Sequence, residues 1–297
     1  MKLHLPAGSA AAADDPLLVT PESAGWPRCG LRIVQLPPGG SRVLASGGDE
    51  LAVLPLSGGG CTVEVEGRRF ELSGRESVFA RVSDWAYVPI DAELRLSSSD
   101  GCELAIASSR AARRFDPAYV EAGDVPVELR GAGQSTRQLN NFMVPEVFDG
   151  ADKLICCEVF TPDGNWSSYP PHKHDATTEV NNEEIYYFRV GRVGSVGYSA
   201  DGYAVHRTYT DDRSIDETLI VRDGDAFLIP AGYHGPCVAA PGYPLYYLNV
   251  MASDAGPRKL AFTDDPSQHW IRATWEGMAL DPRLPMTSAA GIVEARR

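Results

Sequence analysis

Glycine and proline recur at short intervals along almost the whole chain, and this punctuation constrains the fold more than any other feature. The 29 glycines and 22 prolines separate segments rich in Val, Ile, Leu, Tyr and Phe, such as residues 51–56, 154–160 and 226–229. Glycine and proline mark turns, whereas β-branched and aromatic residues favour strands. Helical periodicity is weak outside residues 265–278 and 111–120. The sequence therefore predicts an all-β protein of many short strands with few short helices.

The strand pattern occurs twice. Residues 50–58 and 184–191 each read as a strand ending in a glycine turn, with Glu50 aligned to Glu184, and the turn-and-strand segment 72–79 resembles 221–228. Such similarity indicates two copies of one β-unit. Each copy would suit a small antiparallel barrel or jelly roll, because these folds remove or shield strand edges.

The boundary between the copies is predicted at a small, polar, glycine-rich stretch, residues 131–136. Such exposed segments commonly separate domains. We therefore expect two tandem small β-barrels, formed by residues 1–130 and residues 131–297.

The charge of the chain limits its partners. Its 40 acidic and 27 basic residues give a formal net charge of −13, and no Lys/Arg block interrupts the acidic excess. Nucleic acids and anionic membranes require concentrated positive charge, so we expect neither as a partner. No apolar run suits export or membrane crossing, and the six cysteines form no C-x-x-C pair. These features predict a cytoplasmic protein with reduced thiols.

Histidines are concentrated in the second copy, which carries five of the six. One residue separates His172 from His174, so in an extended segment these two side chains share a face and Lys173 points away. Two neutral imidazoles on one face can bind a transition metal. His234 follows a strand that ends in a Pro/Gly turn, which would fix its position. The three histidines together predict a metal site.

A carboxylate ligand is expected from the strand between these histidine segments. Counting back from the turn at Gly191 places Glu184 on the same face of the strand as Tyr186. A carboxylate beside an aromatic residue on an inward face is typical of a partly dry cavity with one polar group. Glu183 would face outward. Glu184 is therefore the favoured carboxylate, and Glu179 is the alternative.

These motifs resemble the cupin superfamily, in which an H-x-H segment, a glutamate and a histidine after a P-x-G turn hold one metal inside a small β-barrel. The matching residues are His172, His174, Glu184 and His234. The usual cupin spacing between the second histidine and the glutamate selects Glu179 instead. An inserted loop at residues 175–183 would reconcile that spacing with Glu184 as the ligand. Val238 replaces an asparagine that many cupins carry. The resemblance implies one divalent transition metal, and zinc, manganese, iron, nickel and cobalt all suit this donor set.

A closer resemblance extends over nearly the full length of the chain. Residues 74–79, 164–175, 209–217 and 246–252 are similar to the 5-deoxy-glucuronate isomerase family of inositol catabolism. The resemblance implies a bicupin whose first cupin is degenerate, which fits the absence of an H-x-H pair near Glu50. It also implies an aldose–ketose isomerase that converts 5-deoxy-D-glucuronate to 2-deoxy-5-keto-D-gluconate.

Other residues are candidates for contact with such a sugar acid. Glu179, His206 or a hydroxide on the metal could serve as the general base. Arg207 and Arg137 are candidates for the carboxylate, because a guanidinium can bind a carboxylate bidentately. Tyr247 is a further candidate substrate contact, on a late strand.

Functions of two other classes stay open on the sequence alone: a metal-dependent cupin dioxygenase and a non-catalytic sugar-acid-binding cupin. The metal-ligand motif is common to all three classes, so the fold cannot choose among them. Assembly as a homo-oligomer also stays open.

Overall fold

The computed structural model describes residues 2–253 and 258–294. The second predicted unit, residues 131–297, therefore includes stretches that lie outside the described residues. The strands of the first part of the chain are β1 (His4–Leu5), β2 (Leu17–Val19), β3 (Cys29–Leu36), β4 (Ser41–Ala45), β5 (Asp49–Gly58), β6 (Cys61–Val65), β7 (Arg68–Leu72), β8 (Trp85–Val88), β9 (Glu93–Ser97), β10 (Cys102–Arg110), β11 (Ala118–Val120) and β12 (Val127–Arg130).

The strands of the second part are β13 (Arg137–Met143), β14 (Leu154–Thr161), β15 (Trp166–Ser167), β16 (His172–Lys173), β17 (Asn182–Val190), β18 (Ala204–Tyr209), β19 (Asp216–Val221), β20 (Ala226–Ile229), β21 (Tyr233–Ala239), β22 (Leu245–Ser253), β23 (Thr263–Asp264), β24 (Thr287–Ser288) and β25 (Gly291–Ile292). The helical elements are α1 (Pro21–Ala24) and the 3-10 turns Ala122–Asp124, Gly133–Ser135 and His269–Trp275. The all-β prediction is confirmed. The helical periodicity at residues 111–120 was misleading, because this stretch forms no helix and ends in β11.

The first unit is a two-sheet β-structure. One sheet has the order β11-β8-β5-β10-β3-β2, and the other has the order β4-β9-β6-β7. Their inner faces enclose an apolar core that includes Val34, Leu51, Val63 and Leu104. Among the described residues of this interior, no group of His, Cys, Asp or Glu side chains is arranged to hold a metal.

The second unit repeats this plan. A seven-stranded sheet has the order β1-β20-β17-β22-β14-β13-β12, and it faces a sheet of order β19-β18-β21-β16-β23, in which β15 also pairs with β21. The N-terminal strand β1 thus joins the second unit, and so does β12 through its pairing with β13. The boundary at residues 130/131 stays a prediction.

The larger sheets of the two units pack back to back. Alternation along β17 sends Ile185 and Tyr187 into this interface and Tyr186 and Phe188 into the second barrel. This alternation follows from the strand period of two. Residues 185–188 of this strand therefore form an uninterrupted run of apolar and aromatic residues, because both faces of the strand are buried.

Two glutamates join the units reciprocally. The carboxylate of Glu183 accepts two backbone N–H groups at the beginning of β3, at 2.8 and 3.0 Å. The carboxylate of Glu50 accepts three backbone N–H groups at the beginning of β14, at 2.5 to 2.8 Å. Glu50 therefore corresponds to Glu183, and the predicted alignment with Glu184 is wrong by one residue. The position of Glu184 is taken in the first unit by Leu51, inside the apolar core.

Candidate metal centre

The candidate site lies between the two sheets of the second unit. Strand β16 pairs with β21 so that His172 lies directly opposite His234, and His174 follows β16 by one residue. Glu184 comes from β17 in the facing sheet. The strand period directs Glu184 into the barrel, because its neighbours Glu183 and Ile185 point towards the first unit.

Three donor groups converge at this point. Oε2 of Glu184 lies 3.1 Å from Nε2 of His174 and 3.1 Å from Nε2 of His234. The donor atoms of the three residues lie within 4.8 Å of one another, and none of the three is more than 5 % exposed. Two nitrogens and one carboxylate oxygen at such spacing are a donor set suited to a transition metal.

His172 lies beside this cluster. Its ring centroid is 4.6 Å from that of His234 and 6.4 Å from that of His174. Burial, followed by the nearby His234 and His174, holds the pKa of His172 well below its usual value. The ring is therefore neutral at pH 7, as a metal ligand must be.

Backbone carbonyls orient all three imidazoles. Nδ1 of His172 lies 3.3 Å from the carbonyl of Pro170, and Nδ1 of His174 lies 3.0 Å from that of Asn182. Nδ1 of His234 lies 3.4 Å from the carbonyl of Gly232. Each carbonyl favours the tautomer with the proton on Nδ1, which leaves the Nε2 lone pair available for a metal.

Two observations test whether these residues fit a cation. Nε2 of His234 is buried and has no hydrogen-bond partner among the described residues. Burial opposes ionisation of Glu184, but His234 and His174 outweigh it and hold its pKa far below the usual range. An ionised carboxylate beside an unpaired nitrogen fits a bound divalent metal.

The cavity beside the cluster also contains positive charge. Its polar lining residues outside the histidine and glutamate cluster are Arg130, Arg137, Ser168, Tyr247, Asn249 and Arg272. Arg130 is paired with Glu128 at 2.8 Å and Arg272 with Asp264. Among the described residues, Arg137 has no acidic partner of this kind.

Arg137 is only 6 % exposed. Its Nη1 donates to two backbone carbonyls, of Ser135 at 3.2 Å and of Tyr169 at 3.5 Å. Burial, together with the nearby charges of Arg130 and Arg272, lowers the pKa of Arg137 to about 10. It is still charged at pH 7, so the cavity holds a buried cation ready to bind an anion.

Of the other predicted site residues, the structure brings only Arg137 and Tyr247 into this cavity. Arg207 projects from the outer face of β18 and is bonded to Asp216 at 3.1 Å. Glu179 lies at the surface in an ion pair with Lys259. The structure therefore does not bring Arg207 and Glu179 into this cavity: strand alternation turns Arg207 outward, and the loop before β17 carries Glu179 away.

His206 is buried behind the cavity rather than on its wall. Its Nδ1 lies 3.2 Å from Sγ of Cys237 and its Nε2 lies 2.9 Å from the hydroxyl of Thr208. Burial, with a smaller effect of His234, lowers the pKa of His206 to about 3. This neutral, hydrogen-bonded imidazole is placed to support the barrel interior.

Sequence reasoning missed Arg130, Arg272 and Ser168 as lining residues of this cavity. Arg130 falls in the last position of the predicted first unit, and Arg272 lies in a 3-10 turn far along the chain. No local spacing relates Arg130 or Arg272 to the histidines, whereas Ser168 precedes His172 by only four residues. Only the packing of β12, β22 and the C-terminal segment brings them together.

The fold and the site define a two-barrel β-protein of the cupin class with a His/Glu donor cluster in the second barrel. The chain matches the KduI/IolB family over residues 5–271. It belongs to the KduI/IolB family.

Curated relatives are similar over most of the chain. The 5-deoxy-glucuronate isomerase of Geobacillus kaustophilus is 38% identical over 276 residues, which are 91% of this chain and 95% of the relative. That of Geobacillus thermodenitrificans is 40% identical over 259 residues, 85% of this chain and 89% of the relative.

Solved structures show the same architecture. An IolB-like protein from Salmonella typhimurium LT2 has a TM-score of 0.82 and 31% identity, covering 91% of this chain and 99% of that chain. Oxalate decarboxylase from Lactobacillus farciminis has a TM-score of 0.63 at 14% identity, covering 89% of this chain and 88% of that chain, a likeness of fold alone. Within the described residues, no helix combines the length and the apolar character needed to traverse a bilayer.

Proposed function

We propose that this chain is an aldose–ketose isomerase that converts 5-deoxy-D-glucuronate to 2-deoxy-5-keto-D-gluconate in myo-inositol catabolism. The family and the names of the relatives support the isomerase activity. The observation that carries the proposal for this site is the unpaired Arg137 in the same cavity as the His/Glu cluster. Such a cavity suits a small molecule with a carboxylate at one end and a carbonyl at the other.

The proposed cofactor is one divalent transition metal held by His172, His174, Glu184 and His234. The donor set leaves zinc, manganese, iron, nickel and cobalt open, because availability in the cell often decides among them. When bound, such an ion polarises a carbonyl oxygen and stabilises negative charge on it. The chain contributes to this binding because backbone carbonyls hold the three imidazoles in the tautomer whose Nε2 is free to bind the ion.

In this proposal Arg137 recognises the substrate carboxylate. The protein carries a net charge of −13, so long-range steering of an anion is unfavourable and a local cation must supply the attraction. Arg130 and Arg272 already have acidic partners. Arg137 therefore offers the uncompensated charge that a single carboxylate would neutralise.

Neither Glu179 nor His206 lines the cavity, so this proposal assigns the role of general base to neither. Glu184 is the one carboxylate among the described lining residues. Isotope labelling therefore tests how the carbon-bound hydrogen is transferred between the two carbons. Deuterium at the departing carbon washes out through an enediol and is retained in a direct shift.

We further propose a cytoplasmic location and two units with a boundary near residue 130. All six cysteines are free and buried, which suits a reducing compartment. We also propose that the protein forms a homo-oligomer. Measurement of its molar mass in solution by light scattering tests this proposal.

One anaerobic assay tests the function. Protein purified without a metal-affinity tag is loaded with each candidate metal and incubated under argon with 5-deoxy-glucuronate, and the aldehyde proton is followed by NMR. We expect conversion to a ketose of identical mass. Product that forms only with oxygen uptake in air would favour a dioxygenase. Saturable binding without product in either atmosphere would favour a binding protein.

A further inference from the structure

Ser168 joins two tyrosine hydroxyls inside the second barrel. Its Oγ lies 2.9 Å from Oη of Tyr247 and 3.0 Å from Oη of Tyr186. Ser168 is 7 % exposed, and both tyrosines are 0 % exposed. The three hydroxyls form a short chain shielded from bulk water.

The backbone of Ser168 is held in an unusual conformation. Its φ angle is +47°, a left-handed region that residues other than glycine rarely adopt. Gly235 packs against it so closely that a Cβ at position 235 would lie 1.8 Å from the carbonyl oxygen of Ser168. Conformations of this kind persist where the surrounding structure imposes them, often at functional sites.

The hydroxyl chain lies between the two charged parts of the cavity. Ser168 and Tyr247 line the same cavity as Arg137 and the His/Glu cluster. Tyr186 follows Glu184 by two residues on the inward face of β17. A substrate that spans Arg137 and the donor cluster would therefore pass beside the hydroxyl of Tyr247.

Each hydroxyl can donate one hydrogen bond and accept others, so the chain has two arrangements. When Tyr186 donates to Ser168 and Ser168 donates to Tyr247, the proton of Tyr247 is free to point into the cavity. When Tyr247 donates to Ser168, its oxygen is free to accept from the cavity. Burial raises the pKa of Tyr247 well above its usual value, so this side chain is a neutral hydroxyl.

We propose that Tyr247 is a catalytic residue that exchanges a proton with the two reacting oxygens of the substrate. Ser168 and Tyr186 are positioning residues that set the two hydrogen-bond arrangements of Tyr247. This inference rests on the proposed isomerase function.

The step balances without a further reactant. The bond from hydrogen to the C2 oxygen breaks as that proton passes to Oη of Tyr247, and the proton already on Tyr247 forms a bond to the C1 oxygen. The hydrogen on C2 passes to C1 together with its bonding electron pair, as in the direct shift, so C2 becomes the carbonyl carbon and is oxidised while C1 is reduced. The hydroxyl of Tyr247 therefore carries one proton both before and after the step.

The test is Tyr247→Phe, which removes the hydroxyl and keeps the ring. We expect kcat to fall by about 10²- to 10⁴-fold, the range for loss of a general acid–base group. KM should change by less than about threefold, because binding of the carboxylate is left intact. Tyr187→Phe is the matched control. It removes a neighbouring buried hydroxyl that faces the first unit, and it should leave kcat unchanged.

Solvent isotope effects separate proton exchange from packing. A plot of wild-type kcat against the D₂O fraction should be curved, as expected when two protons move in the same step. The plot should lose this curvature in Tyr247→Phe. Ser168→Gly, which suits the backbone angle, and Tyr186→Phe should lower kcat by about tenfold with KM preserved, since Tyr247 is then less well held. Ser168→Gly also serves as the second variant should Tyr247→Phe fold poorly.

The outcomes distinguish this inference from the function on which it rests. If the wild type turns over the substrate and Tyr247→Phe keeps nearly full kcat, the proposed role of Tyr247 is overturned and the isomerase function is not. Equal losses in Tyr187→Phe and Tyr247→Phe would also overturn it. No turnover by the metal-loaded wild type would overturn the isomerase function and this inference with it.

Discussion

Nε2 of His234 lies 3.1 Å from Oε2 of Glu184, yet the two atoms do not meet in hydrogen-bond geometry. Both side chains are almost fully buried. A buried nitrogen that faces a carboxylate without bonding to it leaves room for a shared cation. The relationship supports a metal between these residues more directly than their spacing in the sequence does.

Glu184→Gln and His234→Ala should each abolish stoichiometric metal binding, because each removes one donor of the cluster. Elemental analysis of tag-free protein should fall from near one equivalent to below about a tenth. Glu179→Gln is the matched control, since Glu179 pairs with Lys259 at the surface. Loss of metal in the control, or its retention in both cluster variants, would contradict the assignment.

Arg137→Met should weaken binding of the sugar acid by removing the unpaired cation. We expect KM to rise by about 10- to 100-fold, which corresponds to about 1.4 to 2.8 kcal/mol. Arg207→Met, on the outer face of β18, should leave KM unchanged. Steady-state kinetics of the two variants decide this prediction, and an equal response of both would remove Arg137 from the carboxylate site.

Arg75 and Glu158 form an ion pair of 2.5 Å at the interface between the units, with side chains 0% and 1% exposed. Glu158→Gln should lower the free energy of unfolding by about 3 to 5 kcal/mol, because it leaves a buried charge unpaired. The change should appear as a lower urea midpoint. Arg69→Gln, which breaks a pair at 3.1 Å with partners 60% and 41% exposed, should cost less than about 1 kcal/mol. Similar effects of the two variants would contradict the prediction.

Asp281 should contribute stability that depends on pH. Hydrogen bonds from Arg283, which outweigh burial, lower its pKa to about 2. A carboxylate whose pKa is lower in the folded state stabilises the fold above its unfolded pKa of about 4, and this stability is lost as the pH falls from about 4 to about 2. Asp281→Asn should therefore be less stable than the wild type at pH 7. The difference in urea midpoint should shrink towards pH 3, and a difference that stays constant from pH 7 to pH 3 would contradict the prediction.

Much of the fold was predictable because individual strands and turns leave a local signature in the sequence. Gly and Pro spacing predicted the short strands, and the repeat predicted the two units. The alternation along β17 predicted that Glu184 faces inward with Tyr186, as the structure shows. The repeat alignment failed by one residue because Glu50 and Glu183 both bind backbone N–H groups across the interface, a relation that no local pattern records.

The sequence by itself determined the all-β class and which histidine and glutamate side chains share a face, since these depend on a period of two along single strands. Only the tertiary structure decided that Arg137 enters the cavity while Arg207 leaves it, and that Arg130 and Arg272 converge from distant segments. It also decided that Ser168 joins Tyr186 to Tyr247. These contacts depend on which strands pair and how the two sheets face each other, and pairing between distant segments is fixed by the packing of the whole chain.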